Sequence, residues 1–386
     1  MSGARVLMLL DNPCTPDMRV LREAAALSRT GAAVRIVCWD REGTAPEIEE
    51  RPGIRIERIR TPSTRQLGIR QVTRLAGFYR RAWRLLVSST FDVVHAHDLL
   101  MLPLGARLAR RAGVPLIYDA HEIYHIMEAD RYPRPVLEII RSSERFLLRR
   151  SVNVFITVSE QRVTDYWLEA TGGREIFVVG NWYDPVVVAP EERRQARQAL
   201  GVPEGALCVA YVGGLSRERC LDLLLEVAGR CPQMFIVVAG KGDPAIEEQL
   251  RDGATRFPNF RFLGWTAEPH RVYAAADALY YLLDPTHPYS HFAASNTLHI
   301  GIARGLPILT SPVGEPGAIM RTVHQALAIH PLDAATLIEA LNLLSSPGHM
   351  ARIKAGLKAL QGRYNWHQAE TALLQAYGRA GKLRVD

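Results

Sequence analysis

Residues 207–230 read LCVAYVGGLSRERCLDLLLEVAGR: one strand-length apolar run, a turn with two glycines, then a helix-length amphipathic segment with Arg217 and Arg219 at its start. Strand, glycine turn and helix form the opening unit of a doubly wound parallel sheet, whose ligands sit beyond the carboxyl ends of the strands. This opening falls in the middle of the chain, after a complete series of the same kind. RVLMLL from Arg5, VRIVCW from Val34, DVVHAH from Asp92, PLIYDA from Pro115, VNVFITVS from Val152 and IFVVGN from Ile176 precede it. MFIVVAGKGD from Met234, FRFLGW from Phe260, ALYYLL from Ala278 and PILTSPVGE from Pro307 follow. Apolar runs of this length, separated by amphipathic helices, are strands covered on both faces. The expected fold is α/β, two doubly wound Rossmann-like domains with the carboxyl ends of both sheets facing a central cleft. Between the series, NWYDPVVVAPEERR from Asn181, with Pro185 and Pro190, reads as the connection, so the domains are expected over 1–184 and 185–365.

A chain of 386 residues is too long for one ordinary core, which agrees with two domains. Apolar residues make up 48% and charged residues 23%, the balance of a soluble globular protein. No apolar run reaches the length of a bilayer crossing. MSGARVLMLLDNP at the start reads as a first strand rather than a leader, because Asp11 ends the apolar run and no small-residue cleavage site follows. The five cysteines lack paired spacing, which argues against a disulfide framework or a zinc site and points to a reducing cytoplasm. The net charge is +7, and of 47 basic residues only Lys241, Lys354, Lys358 and Lys382 are lysine. The arginines are dispersed and no nucleic-acid module accompanies them, so nucleic acid is not an expected partner.

The loops that follow strands carry the chemistry. In the first half these are DNPCTPDMR from Asp11, HAHD from His95 and DAHE from Asp119. Each histidine taken alone reads equally well as a packed or capping residue; gathered at strand ends they suggest a site. In the second half, Gly213 and Gly214 permit close backbone approach, free helical N–H groups face outward, and Arg217 and Arg219 offer forked donors to phosphate oxygens. That combination reads as a diphosphate clamp; the plain alternative is a tight turn with solvated arginines. It is neither the phosphate-loop spacing nor a clean G-x-G-x-x-G, which disfavours a kinase or an ordinary dehydrogenase. A second anion site is expected at ASNTLHIGIARGLPILTS from Ala294, where Ser295, Asn296 and Thr297 stand at a helix start. Gly314 and Glu315 follow the next strand and stand in position to meet a ligand.

The order DMRVLREAAALSRTGAAVRIVCWD, FDVVHAHDLLMLPLGARLARRAGVPLIYDAHE, ITVSE, YVGGLSRER, VVAGKGD, FLGW, ALYYLL and ARGLPILTS resembles retaining nucleotide-sugar glycosyltransferases of family 4, with the GT-B fold. The tail YNWHQAETALLQAYGRA is similar to the closing helix of that family, which crosses back to the first domain, here over 366–386. The resemblance implies transfer of a sugar from a nucleotide diphosphate donor to a small-molecule or lipid-linked acceptor, with retained configuration and no obligatory metal. It assigns the donor to the second domain, at Gly213, Gly214, Arg217, Gly240, Ser295, Asn296, Thr297 and Glu315. The acceptor falls to the first, at Asp17, Arg19, His97 and Glu122. His121 matches an active-site histidine, and Arg219 a basic residue that stabilises charge on the departing diphosphate. An Arg common earlier in that turn is replaced by Gly214.

One departure stands out. Where the family shows Pro-Asn-Lys-Leu-Phe-Glu, this chain has Ser295, Asn296, Thr297, Leu298, His299 and Ile300, so the Lys for the diphosphate and the Glu for the ribose are absent. A further carboxylate of that motif falls near Phe292. Three outcomes follow: other groups such as Glu315, Asp284 or His299 rescue donor binding, the donor is unusual, or the chain is a non-catalytic binding or partner subunit. RQLGIRQVTRLAGFYRRAWRLLVSS from Arg65 reads as an amphipathic helix, with Ile69, Val72, Leu75 and Phe78 at core spacing. It either packs on its own sheet or lies on an anionic membrane.

Overall fold

The computed structural model describes residues 3–15, 17–43, 45–61 and 69–381, with side chains described for all of these except 69–72. It divides into two compact units, Met1–Gly180 with His367–Asp386, and Asn181–Trp366.

The first unit holds eight strands: β1 Arg5–Leu10, β2 Ala33–Asp40, β3 Ile48–Arg51, β4 Ile54–Arg60, β5 Val93–His97, β6 Leu116–Ala120, β7 Val154–Thr157 and β8 Ile176–Val178. Their order is β3-β4-β2-β1-β5-β6-β7-β8, parallel throughout except for β3 against β4. The central strands are apolar without alternation because helices cover both faces: five of the six residues of β1 and all five of β5 are buried. The edge hairpin β3–β4 is absent from the sequence-based series. RPGIRIERIR alternates arginine with isoleucine, and the short buried apolar set, Ile54 and Ile56, sits among charges, two of them the buried Glu57 and Arg58, that read as a solvated turn.

The second unit holds β9 Leu207–Val212, β10 Met234–Ala239, β11 Phe260–Phe262, β12 Ala278–Tyr281 and β13 Ile308–Thr310. They are ordered β11-β10-β9-β12-β13 and are all parallel. The strand order reverses between β9 and β12, so the loops leaving these two strands flank the position where open sheets of this kind hold their ligands. Both units are therefore Rossmann-like.

The helix Ile69–Leu86 lays Phe78, Ala82 and Leu86 in the core, with Phe78 stacked on Trp39 at 5.6 Å, while Arg74, Arg80, Arg81 and Arg84 are exposed. Its described apolar face is thus taken by its own sheet; residues 65–68 of the amphipathic stretch, and the side chains of Ile69 and Val72, lie outside the described residues. Among the described residues, no helix is long and apolar enough to cross a membrane. The helix Trp366–Arg379 packs into the first unit through Ala369, Leu373, Ala376 and Tyr377, pinned at its edges by Arg29–Glu370 at 2.6 Å and Arg379–Glu175 at 3.1 Å.

Candidate functional site

In the first unit the carboxyl ends of β5 and β6 bring together a set of charges around one carboxylate. Register pairs His97 with Asp119 on adjacent strands, and the chain then turns to place His121 above them. Asp119 Oδ2 accepts from the Arg19 guanidinium at 2.7 Å and lies 3.1 Å from His121 Nε2 and 3.6 Å from His97 Nδ1. Burial would raise the Asp119 pKa, but Arg19 and His121 outweigh it and hold the carboxyl well below the usual range. Burial likewise disfavours charge on His121, yet Asp98 Oδ2, 3.2 Å from its Nδ1, and Asp119 on the other side keep the ring charged well above the ordinary histidine pKa. Arg19 also reaches Glu23, one helical turn on, at 3.1 Å. Behind them His95 stacks on His97 at 4.1 Å and meets the Tyr377 hydroxyl at 2.9 Å through Nδ1; burial keeps His95 neutral.

The four acceptor candidates stand at different depths. His97 is fully buried and the Arg19 side chain is only 10% exposed, so both support the site from beneath rather than line it. Asp17 is half-buried and works as the N-cap of the helix Met18–Arg29, accepting from Val20 N at 3.1 Å while Asn12 Nδ2 donates to its other oxygen at 2.8 Å. Glu122 sits at the rim, bonded at 2.7 Å to Arg162, which opens a one-turn π-helix and also donates to the carbonyl of His121. Asp98, Asp119, Glu23 and Arg162 are the members that sequence reasoning missed. Asp98 and Asp119 lie inside the HAHD and DAHE motifs, and Glu23 stands four residues after Arg19, the spacing of a helical ion pair.

Glu23, His95, His97 and Asp119 also bring potential metal-ligand atoms within 4.8 Å of one another. Arg19 bonds to both of their carboxylates, so a cation is already built into that group and the donor set does not call for a metal.

In the second unit the turn after β9 is different in character. Arg217 and Arg219 lie on a three-residue 3-10 turn, not at the start of the helix as the sequence suggested. Cys220 then takes a left-handed conformation, φ +48, and the helix begins at Asp222. The turn is fixed from below, where the Tyr280 hydroxyl donates to the carbonyls of Arg219 and Cys220 and Asp284 N donates to the Glu218 carbonyl at 2.8 Å. Arg217 is exposed. The Arg219 guanidinium lies over the Tyr281 ring at 5.2 Å, at the carboxyl end of β12. Burial opposes its charge, but the phenol oxygens of Tyr281 and Tyr211 prevail and keep it protonated. Its Nε is buried without a hydrogen-bond partner, and among the described residues it pairs with no carboxylate.

The remaining donor candidates divide between structure and surface. Gly213 and Gly240 answer first to each other: a Cβ at Gly240 would stand 1.9 Å from the Gly213 carbonyl oxygen, because the loops after β9 and β10 run in contact. At Gly214 a Cβ would meet nothing within 4 Å, so the backbone leaves room for a side chain to start where the family carries an arginine. Ser295 caps the helix Asn296–Arg304 by accepting from Leu298 N at 2.9 Å; Thr297 is buried and Asn296 exposed. Glu315 sits in the first turn of the helix Gly314–Val323, only 7% exposed, with Oε2 4.0 Å from His299 Nε2. His299 is buried near Trp182 and Tyr364, and burial lowers its pKa to about 3. Both residues are buried, whereas Asp284, three residues beyond β12, is half-buried and accepts from Thr286 N at 2.8 Å and Thr286 Oγ1 at 2.7 Å through Oδ1.

Both halves of the chain match known domains: residues 16–182 match the glycosyl transferase 4-like domain and residues 206–346 the glycosyl transferases group 1 domain. The chain belongs to the family 4-like GT-B glycosyltransferases. This glycosyltransferase is similar to the D-inositol 3-phosphate glycosyltransferase of Xylanimonas cellulosilytica, 25% identical over 99% of this chain and 98% of that one. The enzyme of the same name from Mycolicibacterium smegmatis is 25% identical over 94% of this chain and 86% of its own. Among solved structures it shares its fold with sucrose-phosphate synthase from Thermosynechococcus elongatus, at TM-score 0.76 and 17% identity over 97% and 98% of the two chains. Anabaena HepE in complex with UDP-glucose gives TM-score 0.70 and 18% identity over 97% and 99%.

Proposed function

We propose that this glycosyltransferase moves a sugar from a nucleotide diphosphate donor to a hydroxyl of a small-molecule or lipid-linked acceptor, with retention at the anomeric carbon and without a resident metal. The observation that carries the reading is Arg219: a half-buried, permanently charged guanidinium beyond the first strand of the second sheet, paired with no carboxylate among the described residues. Such a cation is complementary to an anion that gains charge during reaction, which is what a departing diphosphate does. The Anabaena relative was solved with UDP-glucose, which agrees with this class of donor.

In the proposed step the bond between the anomeric carbon and the diphosphate oxygen breaks, and the oxocarbenium-like sugar is attacked by the acceptor oxygen on the same face. The acceptor proton passes to the departing diphosphate, whose negative charge Arg219 holds with Arg217 at its edge. His121 has both ring nitrogens engaged by Asp98 and Asp119, so it serves as a fixed cation and not as a base. The sequence contains no Asp-x-Asp pair of the kind that holds a metal against a diphosphate.

In this reading recognition of the ribose departs from the family pattern, and Asp284, half-buried beyond β12, takes over from the missing glutamate through the carboxylate oxygen that Thr286 does not engage. The purified protein with a panel of nucleotide sugars, UDP-glucose among them, tests the reading by thermal shift and by donor hydrolysis. Stabilisation by at least one nucleotide diphosphate is expected; no shift with any member of the panel removes the transferase reading and leaves a partner subunit.

A further inference from the structure

Asp98 holds an unusual backbone. Its φ of +61 places a non-glycine residue in the left-handed region, a conformation that costs free energy and is kept only where the surroundings demand it. The strain purchases a specific contact pattern. Asp98 N donates to the Asp119 carbonyl at 2.9 Å, which locks the turn after β5 to the end of β6. One carboxylate oxygen then accepts from the backbone N–H of His121 at 2.9 Å and of Glu122 at 3.3 Å, while the other lies 3.2 Å from His121 Nδ1. A single side chain thereby fixes where the residues after β6 lie, which way the imidazole turns, and which proton its Nδ1 carries.

We propose that Asp98 is the positioning residue of the transfer site, holding His121 as an oriented imidazolium. The proposal rests on the reading of His121 as an active-site group. The alternative holder, Asp119, shares its Oδ2 among Arg19, His97 and His121, so its charge is divided and largely answered by Arg19. Asp98 pairs with no arginine among the described contacts and gives its full charge to His121 and the two backbone N–H groups. The other charged or titratable groups facing His121 include Asp119, Arg19, His97, His95, Asp11, Glu23, Glu122 and Arg162, which donates to its carbonyl. In Asp98→Asn the oxygen that serves the backbone is preserved, but the amide presents N–H to Nδ1. The ring must then give up that proton and remain neutral, protonated on Nε2 toward Asp119.

The test uses the full chain with 15N-labelled histidine, and His121→Gln to assign the resonances. Two-bond 1H–15N spectra are expected to show an imidazolium at residue 121 from pH 6 to 8 in the unaltered protein, and a neutral ring carrying its proton on Nε2 at pH 8 in Asp98→Asn. With UDP-glucose as the probe, kcat for donor turnover should fall about tenfold to hundredfold, with KM within about twofold, as when an outer partner that orients a functional histidine is lost. Asp98→Gly, which suits the left-handed backbone and lacks the carboxylate, guards against a folding failure and should likewise leave the ring neutral at pH 8. An imidazolium that persists at pH 8 in both variants overturns the proposal, as does unchanged kcat. Full turnover in His121→Gln also overturns it, by removing the role that Asp98 is said to support. Absence of turnover in every protein, the unaltered one included, would sink the transferase reading alone, because the spectra would still decide the hold of Asp98 on His121.

Discussion

Arg19 follows the first strand of one sheet and Arg219 follows the first strand of the other, yet their surroundings are opposite. Arg19 is sunk beneath the surface and spends its guanidinium on Asp119 at 2.7 Å and Glu23 at 3.1 Å. Arg219 lies against Tyr281 with a buried, unpartnered Nε and, among the described residues, no ion pair to a carboxylate. Two carboxylates answer the first cation, so its work is structural: it makes the buried Asp119 tolerable and thereby seats His121. The second meets the ring and phenol oxygen of Tyr281 and, among the described residues, no carboxylate, so its charge remains complementary to an incoming anion. Position after a strand thus marks a place where function can sit, and the partners decide whether it does.

The sharpest way to break this comparison is to remove each arginine in turn. Arg19→Met leaves Asp119 and Glu23 uncompensated in the interior and should cost about 3 to 5 kcal/mol of stability, read by denaturant unfolding, while nucleotide affinity stays unchanged. Arg219→Ala should do the reverse: a stability close to that of the unaltered protein, with donor turnover reduced about a hundredfold to a thousandfold and UDP binding weakened in calorimetry. If Arg19→Met unfolded no more easily, or Arg219→Ala bound UDP as tightly as before, the distinction between the two would be lost.

The contrast is sharpened by restoring what the second unit lacks. Ile300→Glu returns a carboxylate at the family position and should strengthen UDP binding by about 1.5 to 3 kcal/mol; no gain would show that the surrounding pocket has diverged as well. Gly240→Ala tests whether the loops behind Arg219 are held by each other. A Cβ there would stand 1.9 Å from the Gly213 carbonyl, and a loss of about 1 to 3 kcal/mol in unfolding free energy is expected, with Gly214→Arg as the tolerated control. The smallest effect is on pH dependence. Below pH 6.5 the unfolded chain takes up a proton at residue 299 that the folded protein refuses until about pH 3, so stability falls as pH drops from 6.5 towards 3. His299→Leu should flatten that part of a melting-temperature profile, and an unaltered slope would mean that the buried ring contributes nothing to it.

The parallel architecture was readable because each central strand is covered on both faces and therefore apolar without interruption, as in VAYV and FIVVA. The hairpin of β3 and β4 was not, since its buried side is two isoleucines among arginines and glutamates. The site was readable as a list of letters but not as depths. His97 and His121 look alike in HAHD and DAHE, and only the register that pairs His97 with Asp119 sends one under the other. Asp98 is silent in sequence because its importance lies in a backbone angle, and nothing in the letter D announces a left-handed turn.

The helix Trp366–Arg379 brings the Tyr377 hydroxyl to His95 across 282 residues of chain. A ribosome therefore releases the whole second sheet before the first one has this side chain, and the nascent amino-terminal half must wait, with His95 Nδ1 and the flank of its opening helix uncovered, until residues 366–379 have emerged. Maturation of the two halves is out of order with their translation, and a chain stopped at residue 365 would leave the earlier half, not the later one, unfinished.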